Sequence, residues 1–166
     1  WQRSAEAEAQ EPTLQTQFWG IEDGLSHRDV QCIHQDRQGF IWLGTKYGLN
    51  RFDGYHFKWF TQEKNGLQSN EINFIEEDPN GKMWLFQTGT FFSKQVKSID
   101  IFDLETHEVR SLAATFGETV PFKANEVQTF AQNNLGHFVF MTENRLIIWT
   151  GKFEVFPISL DLKSKL

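Results

Sequence analysis

The feature that most constrains this chain is a short unit that returns. Gln35-Asp36-Arg37-Gln38-Gly39-Phe40-Ile41-Trp42-Leu43 is echoed by Glu77-Asp78-Pro79-Asn80-Gly81-Lys82-Met83-Trp84-Leu85 at an offset of 42 residues. A weaker copy, Gln132-Asn133-Asn134-Leu135-Gly136-His137-Phe138-Val139-Phe140, follows a further 55 along. Aligning 24–43 with 66–85 leaves seven of twenty positions identical, so the relation extends well beyond the motif. A unit recurring near this period cannot bury its apolar face alone, and it specifies stacked copies.

Each copy reads as a turn followed by a strand. The Asp is placed to accept hydrogen bonds from backbone N–H groups ahead of it, and the Gly is free to take positive φ. Phe40 to Leu43 is apolar on both faces and too short for a buried helix, which predicts a strand covered on both sides. Further strands are predicted at 30–35, 49–52 and 55–60, with Asp53-Gly54 as a hairpin signal. The second unit places strands at 83–87, 98–102 and 108–112, with 91–97 as a longer hairpin loop, and residues 113–122 read as a connector. The third places them at 127–132, 137–141, 145–149 and 153–158.

Four antiparallel strands repeating every ~40–45 residues are the blades of a β-propeller. The expected fold is therefore all-β, with blades at 24–61, 66–112 and 122–158. A flexible leader at 1–12 and a leading strand at 13–21 precede them; that strand would complete a missing last blade. Residues 159–166 form a tail or begin the next blade. Propellers close with roughly four to eight blades. Three blades and one strand are expected to be the N-terminal part of a larger, seven-bladed ring.

Composition narrows the function. Seventeen Phe and six Trp supply a core, while a net charge of -6 without clustered Lys or Arg argues against nucleic acid. Cys32, the only cysteine, excludes an intrachain disulfide and reads as a small buried residue. The five histidines lack metal-ligand spacing, and no nucleotide-loop or nucleophile-elbow signature is present. No cofactor, metal or catalytic residue is expected, and no run approaches the ~18 apolar residues of a membrane span.

Asp36, Asp78 and Asn133 hold two readings, a turn cap or a metal or acid–base carboxylate; repetition in every unit favours the cap. Trp42 and Trp84 read as wedges between blades, against sugar-stacking platforms. Trp59 and Trp149 are assigned to outer strands and left open to either role. The segments leading into each first strand are the candidate ligand or partner rim: His27, Arg28 and Asp29; Ser69, Asn70 and Glu71; and Asn125 with Glu126. In a propeller such segments gather near one mouth of the central channel. The plain alternative is capping of the strand start by short polar side chains.

Ile33-x-Gln35-Asp36-x-x-Gly39-Phe40-Ile41-Trp42-x-Gly44-Thr45-x-x-Gly48-Leu49-Asn50-Arg51-Phe52-Asp53-Gly54 resembles the two-component regulator propeller repeat. The preceding Glu22-Asp23-Gly24-Leu25-Ser26 is similar to the way such sensor regions begin. The resemblance is dense in unit one, clear over 66–85 and weak in unit three; in unit two the Gly-Leu-x-Arg third strand is missing. It implies the periplasmic sensor region of a hybrid histidine kinase of Bacteroidetes type, joined to the membrane only through its parent chain. It further implies a receptor for glycan-derived oligosaccharides, with binding as the task of this segment. A protein-interaction scaffold and a propeller-type carbohydrate-active enzyme are the competing functions. Open blade edges also predict self-association.

Overall fold

The computed structural model describes residues 16–90 and 93–158. Its strands form three four-stranded antiparallel sheets, each with its strands in chain order. Blade 1 holds β1 (Val30–Gln35), β2 (Ile41–Thr45), β3 (Gly48–Phe52) and β4 (Phe57–Phe60). A single helical turn, α1 (Gln62–Asn65), leads to blade 2: β5 (Phe74–Glu77), β6 (Lys82–Thr90), β7 (Ser93–Asp103) and β8 (Val109–Ser111). After α2 (Leu112–Phe116), blade 3 holds β9 (Thr129–Gln132), β10 (Phe138–Met141), β11 (Arg145–Trp149) and β12 (Phe153–Pro157). The all-β propeller expectation holds.

The repeated turn has one geometry in all three blades. Gly39, Gly81 and Gly136 take φ of 92°, 77° and 77°, the left-handed region in which a Cβ is strained. Their N–H groups donate to the carbonyls of Asp36, Asp78 and Asn133. Asp36 Oδ1 accepts from the backbone of Gln38 and Phe40, both at 2.9 Å. Asp78 Oδ1 does the same for Asn80 and Lys82, and Asn133 Oδ1 for Leu135 and His137.

The second carboxylate oxygen explains why two of the three are Asp. Asp36 Oδ2 accepts from Trp42 Nε1 at 2.7 Å, and Asp78 Oδ2 from Trp84 Nε1 at 3.1 Å. Both indoles and both carboxylates are buried. In blade 3 the position six residues on is Val139, which has no N–H to offer, and the turn carries Asn. Turn cap and wedge are thus one device.

Each wedge is met edge-on by an aromatic ring from the third strand of the next blade. Trp42 meets Phe102 at 5.1 Å and 66°, and Trp84 meets Trp149 at 5.1 Å and 63°. Trp149 therefore sits buried on a third strand, not an outer one. Trp59 is on the outer strand as expected, and its Nε1 donates to the Gly24 carbonyl. Trp19 meets Phe52 at 4.8 Å and 61°, the same arrangement on the free side of blade 1. Around Trp19, residues 16–20 carry no regular structure and Ile21–Asp23 form a 3-10 turn. The rest of the anticipated 13–21 strand, the 1–12 leader and the 159–166 tail lie outside the described residues.

Where two sheets approach most closely, side chains are excluded. A Cβ on Gly44 would lie 2.5 Å from Cys32 Sγ and 2.6 Å from the Ile72 carbonyl oxygen of blade 2. Cys32 is half-buried in this seam, and burial pushes its thiol pKa up to about 12. Two departures distinguish blade 2. Most of the anticipated 91–97 loop is strand, because β6 and β7 form a long hairpin with irregular register beyond Gln87. The connector contains α2, capped by Ser111, whose Phe116 stacks on Trp84 at 5.5 Å and helps cover the second seam.

Replacing Trp42 with Phe keeps most of the ring and removes only the donor to Asp36. Stranding one oxygen of a buried carboxylate is expected to destabilise the chain by about 2–3 kcal/mol in urea unfolding. Asp36→Asn in the Trp42→Phe background should cost less than in the wild type, since the double variant reproduces the blade 3 pairing. Additive effects across that cycle would show that turn and wedge are independent.

Candidate ligand rim on the lead-in face

The first strand of each blade runs away from its lead-in segment, so successive connections alternate between the two ends of the sheets. One end gathers the lead-in segments and the β2–β3, β6–β7 and β10–β11 connections. The other gathers the Asp/Asn-Gly turns and the connections between third and fourth strands.

Buried polar residues on the third strands hold the first two lead-in segments. Asn50 Oδ1 accepts from the Ser26 backbone at 2.9 Å, and its Nδ2 donates to Ser26 Oγ at 2.7 Å. Asp100 is its counterpart in blade 2, since Asn50 pairs with Leu43 and Asp100 with Leu85. Its carboxylate accepts from the Gln68 backbone and Gln68 Nε2, both at 2.9 Å, and from Gln87 Nε2 at 2.7 Å. Burial raises the Asp100 pKa above its ordinary value, and these hydrogen bonds only partly oppose that. Blade 3 has Ile147 at this position. There Arg145 substitutes, with Nη1 donating to the Pro121 carbonyl at 2.6 Å and Nη2 2.9 Å from Glu126 Oε2.

The residues nominated from sequence fall into two groups. His27 Nδ1 accepts from the Asp29 backbone at 3.0 Å, and Asp29 binds Gln31 Nε2 and, at 2.7 Å, Lys46 Nζ. The hydrogen bond from Lys46 leads the causes that hold the Asp29 carboxyl below its usual range. Arg28 is exposed. Ser69 Oγ accepts from the Glu71 backbone, and Asn70 Oδ1 from the Gln62 backbone at 2.7 Å. The Asn70 carbonyl also accepts from Gly48 N–H of blade 1. These two segments thus meet at the β2–β3 connection, where the side chains of Asp29, Ser69 and Asn70 are engaged.

The third segment borders a different space. Asn125 and Glu126 line a polar recess of about 370 Å³ with Gln95, Gln128, Thr142 and residues 143–145. Among the described residues, no hydrogen bond occupies the side-chain amides of Asn125, Gln128 or Asn144. Gln95 arrives on the β6–β7 hairpin, which is fastened to blade 3 by Val96 N–H donating to the Val127 carbonyl at 3.1 Å. Sequence reasoning missed Gln95, Gln128 and Asn144. The available signal was an offset that rises from 42 at Trp84 to 50 at Phe102, marking an eight-residue insertion beside the lead-in of blade 3.

At the opposite end the turns are stitched together across a shallow depression. Arg37 pairs with Glu77, and its Nη2 donates to the Asp78 carbonyl at 2.7 Å. Gln132 Nε2 donates to the Glu77 carbonyl at 2.8 Å. These contacts hold the seams.

Residues 24–47 match the two component regulator propeller family. The first blade carries that repeat. Over 36 residues the chain is 56% identical to a histidine kinase of Formosa agariphila, covering 22% of this chain and 3% of the relative. It is also similar to the extracellular domain of a hybrid two component system from B. thetaiotaomicron. That likeness has 27% identity and a TM-score of 0.62, and it covers 85% of this chain and 20% of that one. The chain thus spans a small part of each. No helix among the described residues is long and apolar enough to cross a membrane.

A raised carboxyl pKa contributes stability that is complete below the unfolded value and lost as pH rises through the folded one. Wild type should therefore lose stability relative to Asp100→Asn as pH rises above about 4. Urea unfolding of both proteins over a pH series measures this, and a constant difference would show that Asp100 titrates as in the unfolded chain.

Proposed function

We propose that this chain is a ligand-sensing segment of the extracytoplasmic region of a hybrid two-component histidine kinase, and that its lead-in face takes a glycan-derived oligosaccharide. One observation carries the proposal: three amides without a partner among the described residues meet Glu126, Glu143 and Arg145 around one open recess. Sugar hydroxyls both donate and accept, and primary amides answer both roles on one planar group. Carboxylates accept further hydroxyls and the guanidinium donates. The recess joins the β6–β7 hairpin of blade 2 to blade 3, so a ligand seated there touches two blades. A preference for one arrangement of that pair is what a sensor needs to pass binding onward to a kinase.

Binding fits this site better than carbohydrate cleavage. Of the two carboxylates that line the recess, Glu126 and Glu143, the first is held in an ion pair with Arg145. Glycosidic cleavage uses two carboxyl groups flanking one bond, about 5–10 Å apart. A thermal-shift screen of neutral oligosaccharides should raise the melting temperature of the chain. Asn125→Ala with Asn144→Ala should weaken the responding ligand about tenfold, the loss of one to two hydrogen bonds. Wild type that responds to no oligosaccharide, or a responder indifferent to both substitutions, overturns the reading.

A second reading concerns partners. The face of blade 3 turned away from blade 2 carries Ala131, Val139, Met141, Leu146, Ile148 and Phe156, brought together by strand register. Met141 is 41% and Phe156 44% exposed. It corresponds to the faces through which Trp42 and Trp84 receive the next blade. We propose that it drives self-association of the chain. Light scattering should show concentration-dependent oligomers, reduced by Met141→Lys, whereas a strict monomer at all concentrations would refute this.

A further inference from the structure

The seam between blades 1 and 2 holds a cluster of cations that the fold does not explain. Arg51 on β3 and Lys58 on β4 are directly opposite each other in the sheet. Like charges in that relation are destabilising. Among the described residues neither has a carboxylate within ion-pair distance. Arg51 lies over the Phe40 ring at 4.3 Å and Lys58 over the Phe60 ring at 5.1 Å, so aromatic faces hold both in place.

Between them stands His107, on the β7–β8 connection of blade 2, at a φ of 60° rare for a residue with a side chain. Its Nε2 is 3.3 Å from Arg51 Nη1, and its Nδ1 is 3.4 Å from Lys58 Nζ. A neutral imidazole offers one lone pair and one N–H. It can accept from one cation, and it must then turn its N–H toward the other. Protonation leaves both nitrogens facing positive donors. Asp103, the carboxylate that acts on His107, is already paired with Lys82 and accepts from the Glu105 and Thr106 backbones. The cluster has donors from three side chains and a single acceptor, the imidazole lone pair, which protonation removes.

We propose that Arg51, Lys58 and His107 form an oxyanion site that takes a sulfate, phosphate or carboxylate group. An anion with several oxygens accepts from both cations and the ring together, and it removes the like-charge repulsion across β3 and β4. Burial, then Lys58 and Arg51, lower the His107 pKa. Bound anion cancels the two charge contributions, so binding favours uptake of a proton by the ring. Affinity therefore rises as pH falls through the range in which His107 titrates. The site sits at the end of the sheets opposite the lead-in face, and it stands or falls independently of the oligosaccharide reading.

Isothermal titration of the folded chain with inorganic sulfate, whose charge is constant between about pH 5 and 8, tests this. Binding should strengthen toward low pH by up to about tenfold per unit. Lys58→Gln should weaken it about tenfold, and His107→Asn, which tolerates positive φ, should abolish its pH dependence. Circular dichroism confirms that each variant is folded, and the His107 ring resonances of wild type report the anion directly. Glucose 6-sulfate in parallel separates the sources: tighter binding than sulfate assigns an ester group, and equal binding a free ion. Wild type that binds neither, or binding unchanged in both variants, overturns the proposal.

Discussion

A carboxylate buried at a tight turn governs the architecture. Asp36 and Asp78 each use one oxygen to shape the turn and the other to hold the indole that fills the gap to the next blade. Desolvating a carboxylate is unfavourable, and what makes it tolerable here is a full set of donors: two backbone N–H groups and one indole. The arrangement couples local chain reversal to long-range packing. If the turn opens, the wedge loses its anchor; if the wedge leaves, the carboxylate is stranded. Blade 3 confirms the logic by exception, because Asn133 and Val139 change together and the turn persists without the anchor.

From that constraint the seams follow. Each wedge presents its face to an aromatic on the third strand of the following blade, and Gly44 lets the backbones of blades 1 and 2 approach where no Cβ fits. The seams are not copies of one another. The first is completed by Phe60 on a fourth strand, packed against Trp42 and Phe102. The second is completed by Phe116 on a short helix, and the long β6–β7 hairpin reaches across it. Two polar environments among the described residues depend on how blade 2 departs from the first blade. Gln95 enters the recess because the hairpin is long, and His107 enters the cation pair because the β7–β8 connection folds back over blade 1.

Much of the fold was legible because the repeat encodes local geometry. Turn position, strand count and the wedge role of Trp42 and Trp84 depend on residues within one unit, and a second copy tests each assignment. The third strand of blade 2 was harder. Ile99-Asp100-Ile101-Phe102-Asp103 corresponds to Leu49-Asn50-Arg51-Phe52-Asp53 only after an eight-residue shift. Without strand register, Asp100 looks like a surface acid, yet it is fully buried. Trp149 ends the third strand of its unit, and only the packed sheets show that its ring faces Trp84 of blade 2.

The candidate sites divide along the same line. By itself the sequence determined a stack of four-stranded blades, the turn that joins the first two strands of each one and the lead-in segments that share one end. Those features follow from short-range backbone preferences and from an apolar repeat that must be covered. Only the tertiary structure decided which polar groups are spent and which are free. Asp29 is engaged by Lys46 from the β2–β3 connection, and the Asn70 carbonyl by Gly48 across the seam, while among the described residues the side-chain amides of Asn125, Gln128 and Asn144 meet no partner. Arg51, Lys58 and His107 come from strands and a connection that meet only when two blades dock. Whether a side chain keeps a free donor or acceptor depends on neighbours distant in sequence, and those neighbours exist only once the sheets have packed.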